Sequence, residues 1–415
     1  MTNPAARDPS SAHPAPPILD PAPREATVDV LRGFALLGIL LMNIIAFAYP
    51  IEAYQSPVAP GLETLTGEFK GLGAGIWWAC HIVADLKMMT IFSMLFGGGV
   101  VLLAQNRSGG FAALYYRRIA FLLAVGFVHA FLIWFGDILF AYALCGLLLY
   151  PVRLVRPLFL LLAGAIFASV PIGLSLATVA YLSANPEAAA QAATSGRSVQ
   201  DQLELVRSGA LGTLEYNALN ALFLQVFLFL FMTAWRVLGM MLVGMALMKL
   251  GFFTGRWMTR SYLTVALIGY AVGIPLSISG ANALVDARFD MLSLLGWPGL
   301  QNYIASVPIA LAHASIVILL ARSGLLRSLA NALAAVGRTA FSNYLLTSIV
   351  MTSIFYGWGL GYFGHVERPA AYLFVLGMWA VQLLLSPLWL AHFRMGPMEW
   401  LWRSFTHWSW QPLRV

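Results

Sequence analysis

Residues 28–48 read VDVLRGFALLGILLMNIIAFA, and Asp29, Arg32 and Asn43 are the only strongly polar side chains among them. As a helix rising about 1.5 Å per residue, this run spans the roughly 30 Å hydrocarbon core of a bilayer. A surface helix of a soluble domain keeps a charged face. This run has none, so its surroundings must be lipid or other apolar helices. No small-residue cleavage pattern follows it, which makes it a retained span and not a cleaved signal.

Nine further apolar runs follow, at 77–104, 118–135, 138–150, 158–182, 219–250, 262–278, 303–321, 339–356 and 371–391. The fourth run of the ten is short and the sixth is long. Of 415 residues, 60% are hydrophobic and only 10% charged, with a mean hydropathy of +0.79. A soluble domain is about one quarter charged, and a surplus of this size cannot be hidden in one water-soluble core. The expected fold is an all-α integral membrane protein, a polytopic bundle of about ten transmembrane helices. It forms one domain over 28–415, preceded by a disordered tail over 1–27 rich in Pro, Ala and Ser. No internal repeat and no second domain is evident.

The net charge of +7 sits mostly in short loops. With alternate loops taken as cytoplasmic, 16 of the 24 Lys and Arg fall on that side, five on the other and three inside apolar runs. A bias repeated at every turn is an insertion signal, so both termini are predicted cytoplasmic and no nucleic-acid partner is expected. Cys80 and Cys145 lie in or beside apolar segments without ligand spacing, so neither a metal site nor a disulfide framework is expected. Residues 397–408, PMEWLWRSFTHW, mix indoles with Arg403 and read as a helix lying in the membrane interface.

Ionisable side chains inside a span are costly unless paired or facing a cavity. Asp29 and Arg32 share a helix face at the start of the first span, either as a self-neutralising pair or as a cation that meets an anionic cofactor. Asn43 lies about 16 Å deeper and offers a polar contact inside the bundle. His81 and Asp85 are four apart on one face, where a carboxylate can fix the tautomer of a basic imidazole. Lys87 follows on another face. His129 falls near the middle of the third run, and Asp137 lies eight residues on. Along a continuous helix that is about 12 Å, too far for contact. Arg236 interrupts the sixth run and needs a carboxylate, carbonyls or a phosphate-bearing ligand. Arg338 opens GRTAFSNY, 337–344, whose small and polar residues also suit helix–helix packing, and His313 is equally open. LFGGG, 95–99, lacks the strand and the Lys-Ser/Thr of a phosphate loop and reads as close packing or a kink.

Four motifs in order carry a family resemblance. They are DVLRGFALLGILLMN over 29–43, FSMLFG over 92–97, His129 with WFGDIL over 134–139, and GPMEWLWR over 396–403. Together they resemble the YeiB-like bacterial membrane proteins, and the resemblance covers nearly everything after the tail. That family is similar to a wider set of transmembrane acyltransferases, including heparan-alpha-glucosaminide N-acetyltransferases and enzymes that decorate bacterial surface glycans. The wider resemblance implies a multi-pass protein of the bacterial inner membrane with an acyl-CoA site open to the cytoplasm. It further implies a histidine on the membrane path and a glycan, lipid or small-molecule acceptor outside. Asp29, Arg32 and Gly33, with Ala84, Asp85 and Leu86, echo the N-acetyltransferase pattern, although the relatives' histidine stands about two positions further upstream of the Ala-Asp pair than His81. His129 therefore competes for that role. On this reading Arg32, Arg236 and Arg338 attract CoA phosphates near the inner face. His129, or His81 with Asp85, removes the acceptor proton or holds the acyl group, and Asp137 orients the acceptor. A proton-coupled transporter of an anionic solute and a non-catalytic scaffold are the alternatives.

Overall fold

The computed structural model describes residues 26–105, 111–194 and 197–415, so almost all of the expected tail lies outside the described residues. Every regular element among them is helical. α1 (Ala26–Ala48) leads to two short helices, α2 (Glu52–Gln55) and α3 (Glu63–Thr66). α4 (Gly71–Val83) and α5 (Lys87–Gln105) return, and α6 (Phe111–Val128) runs out again into a π-helical turn, His129–Ile133. α7 (Leu139–Leu147) and α8 (Pro157–Ala184) form the next pair, followed by α9 (Pro186–Thr194) and α10 (Val199–Arg207). α11 (Ala210–Leu222) continues as a π-helix over Phe223–Thr233 into α12 (Ala234–Lys249). α13 (Thr259–Asp286), α14 (Met291–Leu295) and α15 (Trp297–Ser323) form a long hairpin. α16 (Arg327–Arg338), α17 (Ala340–Phe355), α18 (Arg368–His392) and α19 (Pro397–His407) complete the described chain.

Contacts between distant segments show that the described residues pass ten times between two ends. At one end Thr27 Oγ1 donates to the Phe253 carbonyl (2.8 Å), Lys249 Nζ to that of Val155 (2.7 Å), and Arg322 Nη1 to that of Trp257 (2.9 Å). Most of the described Lys and Arg lie here, so we call it the basic end. At the other, Tyr49 Oη donates to the Val366 carbonyl (2.9 Å), Gln202 Nε2 to Glu52 Oε1 (2.7 Å) and Asn217 Nδ2 to the Ile133 carbonyl (3.1 Å). Eight of the described helical segments are long and apolar enough to cross a membrane. The other two crossings are α17 and the nine-residue α7, which at about 14 Å is half a bilayer long. The protein is thus a multi-pass membrane protein of the expected class.

Three crossings depart from single continuous spans. The second breaks at 84–86, where Leu86 takes the left-handed conformation (φ 63°). The third turns π-helical at His129 and then leaves helix altogether at Trp134. The sixth is 40 residues long from Ala210 to Lys249 and is π-helical in its middle. A π-turn inserts a residue into the α-helical repeat and shifts every later side chain around the axis, which periodicity counted at 3.6 residues cannot anticipate.

Helices approach closely where glycine removes the Cβ. A methyl on Gly97 would overlap the Met241 carbonyl of α12, and one on Gly244 the Met94 carbonyl of α5. Gly164 and Gly239 meet in the same reciprocal way between α8 and α12, and Gly33 and Gly337 between α1 and α16. The glycine run at 97–99 is therefore packing, as small residues at membrane helix crossings generally are.

α19 is tied to the bundle by its side chains. Glu399 Oε1 accepts from the backbone N–H of Phe341 (2.7 Å) and Ser342 (3.3 Å), while Ser342 Oγ donates to Glu399 Oε2 (2.5 Å). These are orphan first-turn donors of α17, so Glu399 caps a helix made 58 residues before it. Burial pushes its carboxyl above the ordinary carboxylate range, and the hydrogen bonds from Ser342 and Phe341 pull the other way. Trp402 Nε1 donates to the Arg118 carbonyl (2.8 Å), and the Arg118 guanidinium lies 3.9 Å from the Trp402 ring centre. Glu399→Ala should lower stability by about 1–2 kcal/mol, the usual cost of a lost cap, and Glu399→Gln by less. Thermal unfolding in detergent measures both.

Candidate functional site

The break after Ile133 folds the chain back on itself, and this corrects the expectation that His129 and Asp137 stand too far apart to touch. His129 Nδ1 and Asp137 Oδ1 are 2.8 Å apart, and both side chains are fully buried. Asp137 Oδ2 accepts from the Phe140 backbone N–H (2.6 Å), so the same carboxylate caps α7. Gln225 Nε2, from the π-helical stretch, donates to the Asp137 carbonyl (2.7 Å). Tyr344 of α17 packs its ring 5.1 Å from the imidazole centre and accepts from the Ile138 N–H (3.2 Å). His129 Nε2 is buried and has no hydrogen-bond partner among the described residues. His129 sits near the end of its helix that lies away from the basic end, about 27 Å from Phe111, and not at the middle of the span.

Asn43 lines a cavity of about 10 Å³ between α1 and α17, beside Tyr344, Thr347, Ser348 and Phe47. That is room for about one water. Phe47 in turn stacks on Trp134 at 4.0 Å. From this cavity a polar seam follows α17 towards the basic end. Gln382 Nε2 donates to Thr347 Oγ1 (2.7 Å), and Asn343 Nδ2 to Ser386 Oγ and Thr339 Oγ1 (both 2.9 Å).

The second histidine also has its carboxylate. His81 Nδ1 lies 3.3 Å from Asp85 Oδ2 across the helix break, and the ring stacks on Trp77 at 4.7 Å. Asp85 Oδ2 is shared with Asn302 Nδ2 of α15 (2.8 Å). The fully buried Lys87 donates to the His81 carbonyl (2.6 Å) and to Asn302 Oδ1, which Ser277 Oγ also reaches (2.8 Å). His313 bridges Tyr270 Oη (2.7 Å) and the Val83 carbonyl (3.0 Å) at the exposed end of α4, a packing role.

The proposed inner-face cations separate. Arg32 Nη1 donates to Asp29 Oδ1 (2.9 Å) and more weakly to the Gly337 carbonyl (3.4 Å), so the self-neutralising pair forms. Arg338 Nη2 reaches the Arg394 carbonyl (3.4 Å) and lines a shallow groove of about 360 Å³ with Asn331, Ala334, Pro387 and Leu390. Arg236 is not with them. It stands 13 residues before Lys249 in α12, about 20 Å from the basic end, which corrects its expected place near the inner face. Nor does a carboxylate hold it among the described residues: its partners are Thr90, Ser306 and the Tyr303 ring.

Sequence reasoning missed Asn302, Gln225, Ser306 and Thr90, and gave Tyr344 only a helix-packing role and Glu399 only a place in the C-terminal helix. Only Thr90 and Ser93 left a signal, since with Lys87 they make a polar line of period three on an otherwise apolar helix. Ser93 Oγ and Tyr142 Oη, 2.6 Å apart, carry that line towards α7.

The profile of the family described as Protein of unknown function (DUF418) matches residues 247–409. Uncharacterized protein YxaH of Bacillus subtilis (strain 168) is 35% identical, with 94% of this chain and 96% of the relative covered. Uncharacterized protein YeiB of Escherichia coli (strain K12) is 32% identical, with 92% and 96% covered. An uncharacterized 39.9 kDa protein in the amylase 3'region of Bacillus acidopullulyticus is 27% identical, with 92% and 94% covered. No solved structure matches the chain. Identity of this order along nearly the whole length of two relatives, with the family profile over the C-terminal part, places the chain in the YeiB-like DUF418 family of membrane proteins.

Proposed function

We propose that the protein is an acyltransferase of the bacterial inner membrane, with its basic end in the cytoplasm. It moves an acyl group from acyl-CoA to a hydroxyl or amine of an extracytoplasmic glycan, lipid or small molecule. The observation that carries this reading is the His129–Asp137 dyad. Nδ1 is committed to a buried carboxylate at 2.8 Å, and Nε2 is left without a protein partner. A carboxylate in this position fixes the tautomer and stabilises the imidazolium, which makes Nε2 the basic atom. In the proposed step the acceptor oxygen or nitrogen attacks the thioester carbonyl and gives its proton to Nε2. The new C–O or C–N bond forms as C–S breaks, and the proton passes to the departing thiolate. Asp137 serves here by orienting His129, not the acceptor. Arg338, which lines the groove at the basic end, and Arg32 beside Asp29 are the cations that would meet CoA phosphates there, and the seam along α17 leads from them towards Tyr344. The charge bias supports the orientation.

One observation favours a carrier instead: charged residues flank the helix break at 84–86, as in transporters with discontinuous helices. Vesicles separate the two readings. In inside-out vesicles given radiolabelled acetyl-CoA outside, transfer leaves the label covalently on an acceptor in the lumen and requires the protein. Label that enters unchanged, or no label at all on lumenal material across a panel of acyl-CoAs, overturns the transferase reading.

A further inference from the structure

Arg236 is more than nine-tenths buried, and arginine keeps its charge in proteins. Its surroundings supply hydrogen bonds but no counter-charge. Nη2 donates to Thr90 Oγ1 (2.9 Å) and Ser306 Oγ (2.6 Å). Both hydroxyl protons are directed elsewhere, to the Leu86 carbonyl (2.7 Å) and the Tyr303 carbonyl (2.6 Å), so both oxygens act as neutral acceptors. The Tyr303 ring covers one face of the guanidinium, 4.2 Å from its centre. Nη1 is buried with no partner among the described residues.

The neighbouring charges do not close the balance. Lys87 is held by a backbone carbonyl and an amide oxygen, both neutral. The carboxylate nearby among the described residues, Asp85, is engaged by His81 and by the amide of Asn302, which also accepts from Lys87. Lys87 and Arg236 are thus two buried cations beside one carboxylate, and the one without an acidic partner among the described residues is Arg236. In a membrane interior an uncompensated cation with a free donor edge is a ligand site by chemistry. Tyr303 is half-buried over it, with Oη donating to the Ala168 carbonyl of α8 (2.8 Å), so this ring closes the seam between α8 and α15.

We propose that Arg236, with Thr90, Ser306 and Tyr303, forms a binding site for an oxyanion, the carboxylate or phosphate of a ligand that supplies the missing charge. Nη1 donates to one oxygen, and the hydroxyls and ring fix the plane of the fork. The site is separate from the His129 dyad and stands whether or not His129 transfers an acyl group.

The test uses the full-length protein in phosphatidylcholine nanodiscs and follows thermal unfolding during titration. The probes are butyrate and inorganic phosphate as water-soluble oxyanions, and phosphatidate doped into the disc as a lipid-borne one. A saturable rise in unfolding temperature with at least one probe is expected. Response to the soluble probes identifies a soluble ligand, and response to phosphatidate alone a lipid. Arg236→Gln should weaken binding by about tenfold or more, and Arg236→Lys, which keeps the charge but not the fork, by less. No saturable rise in the wild-type protein with any probe overturns the proposal, even where Arg236→Gln fails to fold. Equal affinity in the wild type and Arg236→Lys overturns it too.

Discussion

His129→Gln should fold and transfer acyl groups at no more than about one hundredth to one ten-thousandth of the wild-type rate, the usual cost of losing a general base. Glutamine can still donate an N–H towards Asp137 but offers no basic nitrogen, so it separates chemistry from packing. His129→Ala should be equally inactive but less stable, because it removes the imidazole from the buried Asp137 carboxylate. Breaking one side of a buried pair costs about 3–5 kcal/mol. His81→Ala should retain measurable activity. Its contact with Asp85 is longer, at 3.3 Å, its carboxylate is shared with Asn302, and its ring lies flat on Trp77. The vesicle assay with thermal unfolding alongside checks all three. Near wild-type turnover in a folded His129→Gln would leave His129 as an interhelical hydrogen-bond partner.

The largest effect on stability is expected at the crossing of α5 and α12. A side chain at Gly97 meets the backbone of Met241, and one at Gly244 meets the backbone of Met94, so neither can be relieved by a rotamer change. Overpacking usually costs about 1–3 kcal/mol, and a clash with backbone on both helices belongs at or beyond the upper end. Gly97→Leu should therefore abolish recovery of monodisperse protein, and Gly97→Ala should lower the unfolding temperature sharply. Gly99 is the internal control, since nothing lies within 4 Å of a Cβ placed there. Size-exclusion profiles and unfolding curves of the Gly97 and Gly99 variants decide it, and equal behaviour would show that the helices can move apart at little cost.

The fold was legible because hydropathy and loop charge are properties of the chain that a bilayer reads directly. All ten runs are built mainly of helix. Of the two flagged by length, the sixth is π-helical in its middle and the fourth holds only the nine-residue α7, while the breaks in the second and third runs left no mark in their length. The site was legible as residue types but not as geometry. His81 and Asp85 could be paired from spacing alone. His129 and Asp137 could not, because their contact depends on a π-turn and on a chain reversal at Trp134–Asp137 that no periodicity announces. Arg236 was expected near the inner face for its charge alone, whereas its place 13 residues before Lys249 sets it about 20 Å from that end. Asn302 was invisible because one polar residue in a span has no partner until another helix is brought beside it, and Tyr344 could be read only as part of a helix-packing stretch for the same reason. α16 escaped notice because its charged ends break the apolar run, although it joins α15 to α17 along the basic end.

The seating of α1 sets a timetable for biogenesis. This helix leaves the ribosome before the other described helices, yet Arg32 finds the Gly337 carbonyl 305 positions later, Tyr372 closes on the Leu41 carbonyl and Trp379 Nε1 on that of Leu37. At about 5–20 residues per second, translation keeps those partners away for roughly 15 seconds to a minute. Throughout that interval α1 must wait in the bilayer with its Asp29–Arg32 pair and the groove at Gly33 uncovered. The family's first motif is therefore a surface held open for the last third of the chain. A protein truncated before α16 should be recognised by the membrane quality-control proteases through that unfilled groove, even though each of its helices is correctly inserted.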